Sequence, residues 1–217
     1  MAKFCSVNEA AAQIKEGMAV MVGGFLNVGA PERLLEAVAK RKVGQLTLIA
    51  NDTGYSGRGV GLLQDAKQLA RVYTSYVGAH EDYSRSMTNG EIEVFLTPQG
   101  TLAERIRSAG AGIGGFMTMT GVGTVAEDGK ETVTIEGKKY LVEYPLFADV
   151  ALIKAYKADE YGNLVYRRSA QNFNPLMATA AKLVIAEVEE IVPLGAIDPD
   201  EVMTPGIFVD LLVRGEA

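Results

Sequence analysis

Apolar runs and amphipathic stretches alternate along this chain. Met18 to Val22 is one apolar run, and QLTLIAND, ending near Asn51, is another whose last residues are polar. Between them Leu34, Leu35 and Val38 recur at helical spacing, so the pattern predicts a buried strand, a helix from Pro31 to Lys42 and a second strand. Pro31 suits the first helical turn, where its missing N–H is not needed. Strand, helix and strand joined by short links make a βαβ unit, which calls for a parallel sheet. Upstream, Asn8 to Glu16 reads as a short helix capped by Ser6 or Asn8 and stopped by Gly17.

The pattern continues with variations. RVYTSYVG and EIEVFLTPQG read as strands, the second running into a loop, and TLAERIRSAG as an amphipathic helix. Residues 124–146 differ: Asp128-Gly129 and Glu136-Gly137 are turn pairs between alternating runs, which predicts an antiparallel insertion of two hairpins. ADVALIKAYKAD then reads as a strand, Asn174 to Ala181 as a helix and KLVIAEV as a further strand. With no repeat or linker in sight, the expectation is one α/β domain over residues 1–217, an open, mostly parallel sheet with the hairpin insertion.

Composition narrows the functional classes. The 217 residues carry a net charge of -6, which argues against a general nucleic-acid binder. A single cysteine, Cys5, cannot form an internal disulfide, and nothing beside it in sequence would activate the thiol, so it reads as a small apolar residue in a reducing compartment. The amino terminus lacks the pattern of a signal peptide, and no apolar run is long enough to span a bilayer; a cytoplasmic protein without a membrane partner is expected.

One connection is longer than its flanking elements require. After Val22 the chain passes through Gly23 and then Gly24, Phe25, Leu26, Asn27, Val28, Gly29 and Ala30 before the helix begins. Amides at such a strand-to-helix loop, together with the helix dipole, attract a pyrophosphate or a carboxylate; a tight turn made by the glycines alone is the competing reading. The loop is neither a Walker loop nor a dinucleotide fingerprint. A G-x-G-x-x-G run does occur at Gly110 to Gly115, but it follows the helical stretch AERIRSA where the fingerprint would follow a strand. GAGIGGFMTMTGVGT reads either as a loop closing over a ligand or as a plain loop.

GGFLNVGAP after an apolar strand, LTLIANDTG and TPQGTLAERIRSAGAGIGGFMTMTGVGT together resemble the α subunit of the 3-oxoacid and short-chain fatty-acid CoA-transferases. The likeness continues through DVALIKAYKADEYGNLVY, AQNFNP and VMTPGIFVD, covering nearly the whole chain. It implies the fold of the ribose-phosphate isomerase and CoA-transferase group. It also implies that Gly24 to Ala30 approach coenzyme A as a substrate, no cofactor being tightly bound.

Moving coenzyme A between carboxylic acids requires a carboxylate that attacks the thioester, forming an anhydride and then an enzyme-bound coenzyme A thioester. The resemblance implies that this group is a glutamate in an E-x-G motif on the β half, so no nucleophile is expected here. Glu160-Tyr161-Gly162 matches the letters, but Asp159, Gly162 and Asn163 make that segment read as a turn. Glu104 reads as a surface partner of Arg107. Gln99, in the loop after a strand, can donate from its amide to a substrate carboxylate or to the oxyanion formed on attack, and the resemblance places it at the substrate pocket. Asn51 either orients the same group or caps a turn, and Phe116 either walls the acyl site or belongs to the core. His80, the sole histidine, reads as a surface residue, and no cluster suggests a metal.

The expectation is therefore an α chain that works with a β subunit, as a heterodimer or α2β2 heterotetramer, on acyl-CoA and short-chain carboxylates such as acetate, acetoacetate and butyrate. A sugar-phosphate isomerase of the same fold group is the first alternative. A ligand sensor is the second, although no basic helix-turn-helix stretch precedes Met18.

Overall fold

Val20 and Val22 enter one hydrophobic core and Met21, between them, enters another. That alternation is what a strand buried on both faces requires, and it recurs through the computed structural model, which describes residues 2–215. In chain order the first elements are β1 (Lys3–Phe4), α1 (Val7–Ala11), β2 (Ala19–Val22), α2 (Glu32–Lys40), β3 (Leu46–Ala50), α3 (Gly61–Asp65) and β4 (Leu69–Thr74). Then come α4 (Glu81–Thr88), β5 (Glu93–Leu96), α5 (Gln99–Gly110), β6 (Phe116–Thr118), β7 (Thr132–Ile135) and β8 (Lys138–Glu143). The last are β9 (Ala148–Asp159), β10 (Leu164–Val165), α6 (Asn174–Met177), β11 (Ala181–Val192) and β12 (Leu211–Arg214).

The main sheet runs β1-β12-β11-β9-β2-β3-β4-β5 with every pair parallel, and β10 folds back antiparallel on the end of β9. Leu48 and Leu152 join Val20 and Val22 against Leu34 and Leu35 of α2, Leu63 of α3 and Tyr83 of α4. Ile49, Ala151 and Ile153 join Met21 against Leu102 and Ile106 of α5 and Met177 of α6. Each fully buried leucine or isoleucine contributes about 1.5–3 kcal/mol, so the two layers of helices are fixed by the strands' alternation. Because the chain leaves β2 for α2 on one face and reaches α6 on the other after β9, the carboxyl end of β2 and the part of β9 just past Leu152 flank a switch point, where open parallel sheets bind ligands.

The structure differs from expectation in several places. The first helix spans Val7–Ala11, starting one residue before the expected Asn8 and stopping well short of Glu16; Ser6 caps it, with Glu9 reaching back to the Ser6 N–H. α2 ends at Lys40 and α6 stops at Met177, each short of the sequence expectation. α3 and α4 fall in segments to which no helix had been assigned. The insertion holds one hairpin, β7 and β8 around Glu136-Gly137, and not two. Asp128-Gly129 instead follows a short 3-10 turn, and the third strand of the small sheet is β6, which lies in the glycine-rich segment read as a loop. Its short apolar core, Phe116 to Thr118, finds hydrogen-bonding partners on β8 that the flanking glycines do not advertise.

Two side chains are placed otherwise than the sequence suggested. Gln99 is not in a loop but opens α5, because Pro98 takes the extended conformation before the helix and Gly100 fits within its first turn. His80 is buried and not on the surface: Nδ1 accepts the Asp82 N–H at the start of α4, so Nε2 carries the proton and donates to Asp65 Oδ1 at 3.1 Å. Its ring meets the buried Tyr83 edge-on. Cys5 is a free, partly covered thiol packed against the first core, and burial, helped by Glu9, pushes its pKa up, as suits an apolar role.

Candidate functional site

Gly24 to Ala30 forms a small closed hairpin rather than an open cradle. Phe25 and Val28 exchange both backbone hydrogen bonds at 3.0 Å, and Leu26 takes a positive φ of 52° at the tip. Ala30 N–H donates to Asn27 O, and Leu26 N–H donates to the Asp52 carboxylate at 2.7 Å. The Phe25 and Val28 side chains are half exposed.

The glycines answer to the protein's own packing. A Cβ at Gly23 would lie 1.8 Å from Asn174 Oδ1, and one at Gly29, where φ is +75°, would lie 2.6 Å from Ala170 O. Asn174, fully buried at the start of α6, accepts from Lys154 N–H and donates to Gly29 O and Ala170 O. Asn172 donates to Val28 O. The segment from 170 to 174 is thus a clasp across the switch point, holding the loop after β2 to the middle of β9 at Lys154. AQNFNP, one of the segments that carry the family likeness, thus has a structural task.

A second loop, not expected from the sequence, stands beside the first. Gly54 to Gly59 follows β3, with Tyr55 and Arg58 bridged as Phe25 and Val28 are, and with positive φ at Gly54, Gly57 and Gly59. The spacing of glycines in TGYSGRGVG was the available signal. Two carboxylates join the loops. Asp52 accepts from Leu26 N–H and Gly54 N–H, and Glu32 accepts from Asn27 Nδ2 and Gly59 N–H. Asp65 holds the far side of the second loop: burial alone would raise its carboxyl, but the Gly57 N–H, the Ser56 hydroxyl and His80 bring it below the usual value.

The amino terminus of α2 is already occupied by an anion. Glu187, buried on β11, accepts Leu34 N–H at 3.0 Å and also bonds the Arg33 amide. Burial pushes its pKa up, while those N–H groups and nearby Lys154 pull the other way. The expectation that this helix end would receive a ligand's negative group is therefore corrected: a protein carboxylate takes that place.

Asn51 and Gln99, predicted separately, are brought together. Gln99 Nε2 donates to Asn51 Oδ1 at 2.6 Å, and Asn51 Nδ2 donates to Asp52 at 2.8 Å. Asn51 is buried, whereas Gln99 is exposed at the mouth of the sheet with its second N–H free of that bond. Phe116 lies apart on β6, opposite Glu143, on the small sheet that Arg105 ties to α5 through Tyr144 O. Glu104 pairs with Arg107 at 2.8 Å, as expected. Glu160 sits in the turn from β9 to β10, where Asp159 Oδ1 accepts three successive N–H groups. β9 leaves β2 at Leu152, eight residues before Glu160, so Glu160 lies roughly 26 Å farther along the strand direction. No cluster of three or more metal-liganding side chains occurs among the described residues.

A doubly covered parallel sheet with paired glycine loops, two linked carboxamides and a buried aspartate at one carboxyl edge defines an α/β protein of the class whose members bind small ligands at the switch point. The chain belongs to the Coenzyme A transferase family, whose profile matches residues 4–215. It is 47% identical over 211 residues to the acetate CoA-transferase subunit alpha of Escherichia coli (strain K12), covering 97% of this chain and 96% of that one. It is 45% identical over 203 residues to the acetoacetyl-CoA:acetate/butyrate CoA transferase alpha subunit of Clostridium acetobutylicum (strain ATCC 824), covering 94% and 93%. Among solved structures, an acyl-CoA transferase from Escherichia coli O157:H7, in a thioester complex with CoA, superposes with a TM-score of 0.88 at 21% identity. That likeness shows the fold; it covers 99% of this chain, which spans about half the length of that protein, 47%.

Proposed function

We propose that this chain is the α subunit of a CoA-transferase that moves coenzyme A between short-chain carboxylic acids, acetate, acetoacetate and butyrate among them, and that a separate β subunit brings the nucleophilic glutamate. One domain, 1–217, working in the cytoplasm as a heterodimer or α2β2 heterotetramer, completes the reading. The observation that carries it is the state of the carboxylates around the loops. Asp52, Glu32 and Glu187 are each held by donors of this chain, so none is presented as an attacking group.

In this reading the partner's glutamate attacks the thioester carbonyl and the charge develops on its oxygen. Gln99 offers that oxygen its remaining Nε2 N–H. Collapse expels the coenzyme A thiolate and leaves a mixed anhydride. The thiolate then attacks the glutamyl carbonyl, releases the first carboxylate and leaves coenzyme A on the enzyme as a thioester. An incoming carboxylate runs the sequence in reverse. The loop from Gly24 to Ala30, with Phe25 and Val28 half exposed, lies against the pantetheine arm. Phe116 is assigned to the acyl side as part of the same reading.

The isomerase alternative is not favoured, because it needs an open helix end for a phosphate and a free carboxylate base in this chain. Assembly with the β subunit, followed by acetoacetyl-CoA and acetate, should give acetyl-CoA. Ribose 5-phosphate turnover by this chain, with no transfer by the complex, would overturn the reading.

A further inference from the structure

We propose that Asp52 is a positioning residue for the transfer, fixing the Gln99 carboxamide through Asn51 and locking it to both glycine loops. The inference rests on the functional reading just given, in which Gln99 faces the reacting carbonyl. Asp52 is 3% exposed and accepts three hydrogen bonds, from Leu26 N–H at 2.7 Å, Asn51 Nδ2 at 2.8 Å and Gly54 N–H at 2.9 Å. A carboxylate accepts only. Asn51 must therefore turn its NH2 toward Asp52 and its oxygen away, toward Gln99.

That oxygen accepts Gln99 Nε2 at 2.6 Å and Ser75 Oγ at 3.2 Å. A lone carboxamide can sit either way round; beside Asp52 only one orientation of Asn51 avoids setting an acceptor against an acceptor. Gln99 thus inherits its orientation from a buried charge two residues away in the relay. Because Asp52 also holds Leu26 and Gly54, the donor and the two loops share one anchor, so a ligand resting on the loops meets Gln99 in a fixed register. Asp52 touches no reacting atom in this scheme and acts only through its neighbours.

The test uses the complex assembled with its β partner and compares the parent, Asp52→Asn, Gln99→Ala and the double variant for kcat and KM. Asp52→Asn should lower kcat by roughly tenfold with a smaller change in KM, and by far less when Gln99 is already alanine, because the relay is then cut at its end. Equal losses in both backgrounds, or a parent-like kcat, overturn the proposal. Should Asp52→Asn fail to assemble, Asn51→Ala breaks the relay while Asp52 keeps Leu26 and Gly54. The same non-additivity with Gln99→Ala is expected, and simple additivity again overturns it. A parent complex that transfers no coenzyme A sinks the functional reading and this inference together; an active parent with additive losses sinks only the role of Asp52.

Discussion

Gln99 can donate two N–H groups from Nε2, and one is committed to Asn51. In the proposed function the remaining one meets charge that develops during attack, so Gln99→Ala should lower kcat more than it raises KM. Loss of one such donor costs on the order of a hundredfold in other acyl-transfer sites, and an exposed amide should give less. Steady-state kinetics on the assembled variant decides; a parent rate would remove Gln99 from the site. Gly29 carries a different argument. A methyl group there would meet Ala170 O at 2.6 Å and would be held at a φ of +75°. Gly29→Ala should therefore destabilise the fold by at least about 1–2 kcal/mol, read as a lower Tm. Gly24, at φ +130° but with only ordinary contact to Ala30, lacks that clash. An unchanged Tm for Gly29→Ala with lost coenzyme A binding would return that glycine to a purely ligand-facing role.

α2 depends on a residue that sequence patterns cannot link to it. Glu187 caps the helix from 153 positions away, and burial raises its pKa above the ordinary glutamate value of 4.5. The folded state therefore binds the proton more tightly than the unfolded chain does. Stability from this group is full below pH 4.5 and declines as pH rises through the elevated folded value. The Tm difference between parent and Glu187→Gln should accordingly shift against the parent over that interval; a difference that stays flat with pH would contradict it. The same distance explains which elements were legible. β2, β3, β9 and α2 announce themselves because their apolar spacing is local, and so does the Glu136-Gly137 turn. α3 has five residues and α4 a largely polar surface, too little periodicity to mark either. Asn51 and Gln99 could be singled out as strand-end amides, yet their mutual bond, and Asp52 behind it, exist only once β3 and β5 lie two strands apart in one sheet. Asn174 could not be read at all without the clasp it makes on Gly29.

Across the whole molecule, β1 and β12 from opposite ends of the chain pair in the same sheet, while Phe25, Tyr55 and Tyr76 stand at least partly exposed at the carboxyl edge that holds the two amides. That edge suits a site completed by a second chain, which in the proposed function carries the nucleophile. No helix among the described residues is long and apolar enough to cross a membrane. The position of the covalent intermediate decides which chain carries the nucleophile. The complex with its β subunit is incubated with acyl-CoA in the absence of an acceptor acid, digested and searched by peptide mass spectrometry for a glutamyl thioester of coenzyme A. The adduct is expected on a glutamate of the β subunit, with every carboxylate of this chain unmodified; coenzyme A attached to Glu160, or to any other carboxylate here, would overturn the proposed function.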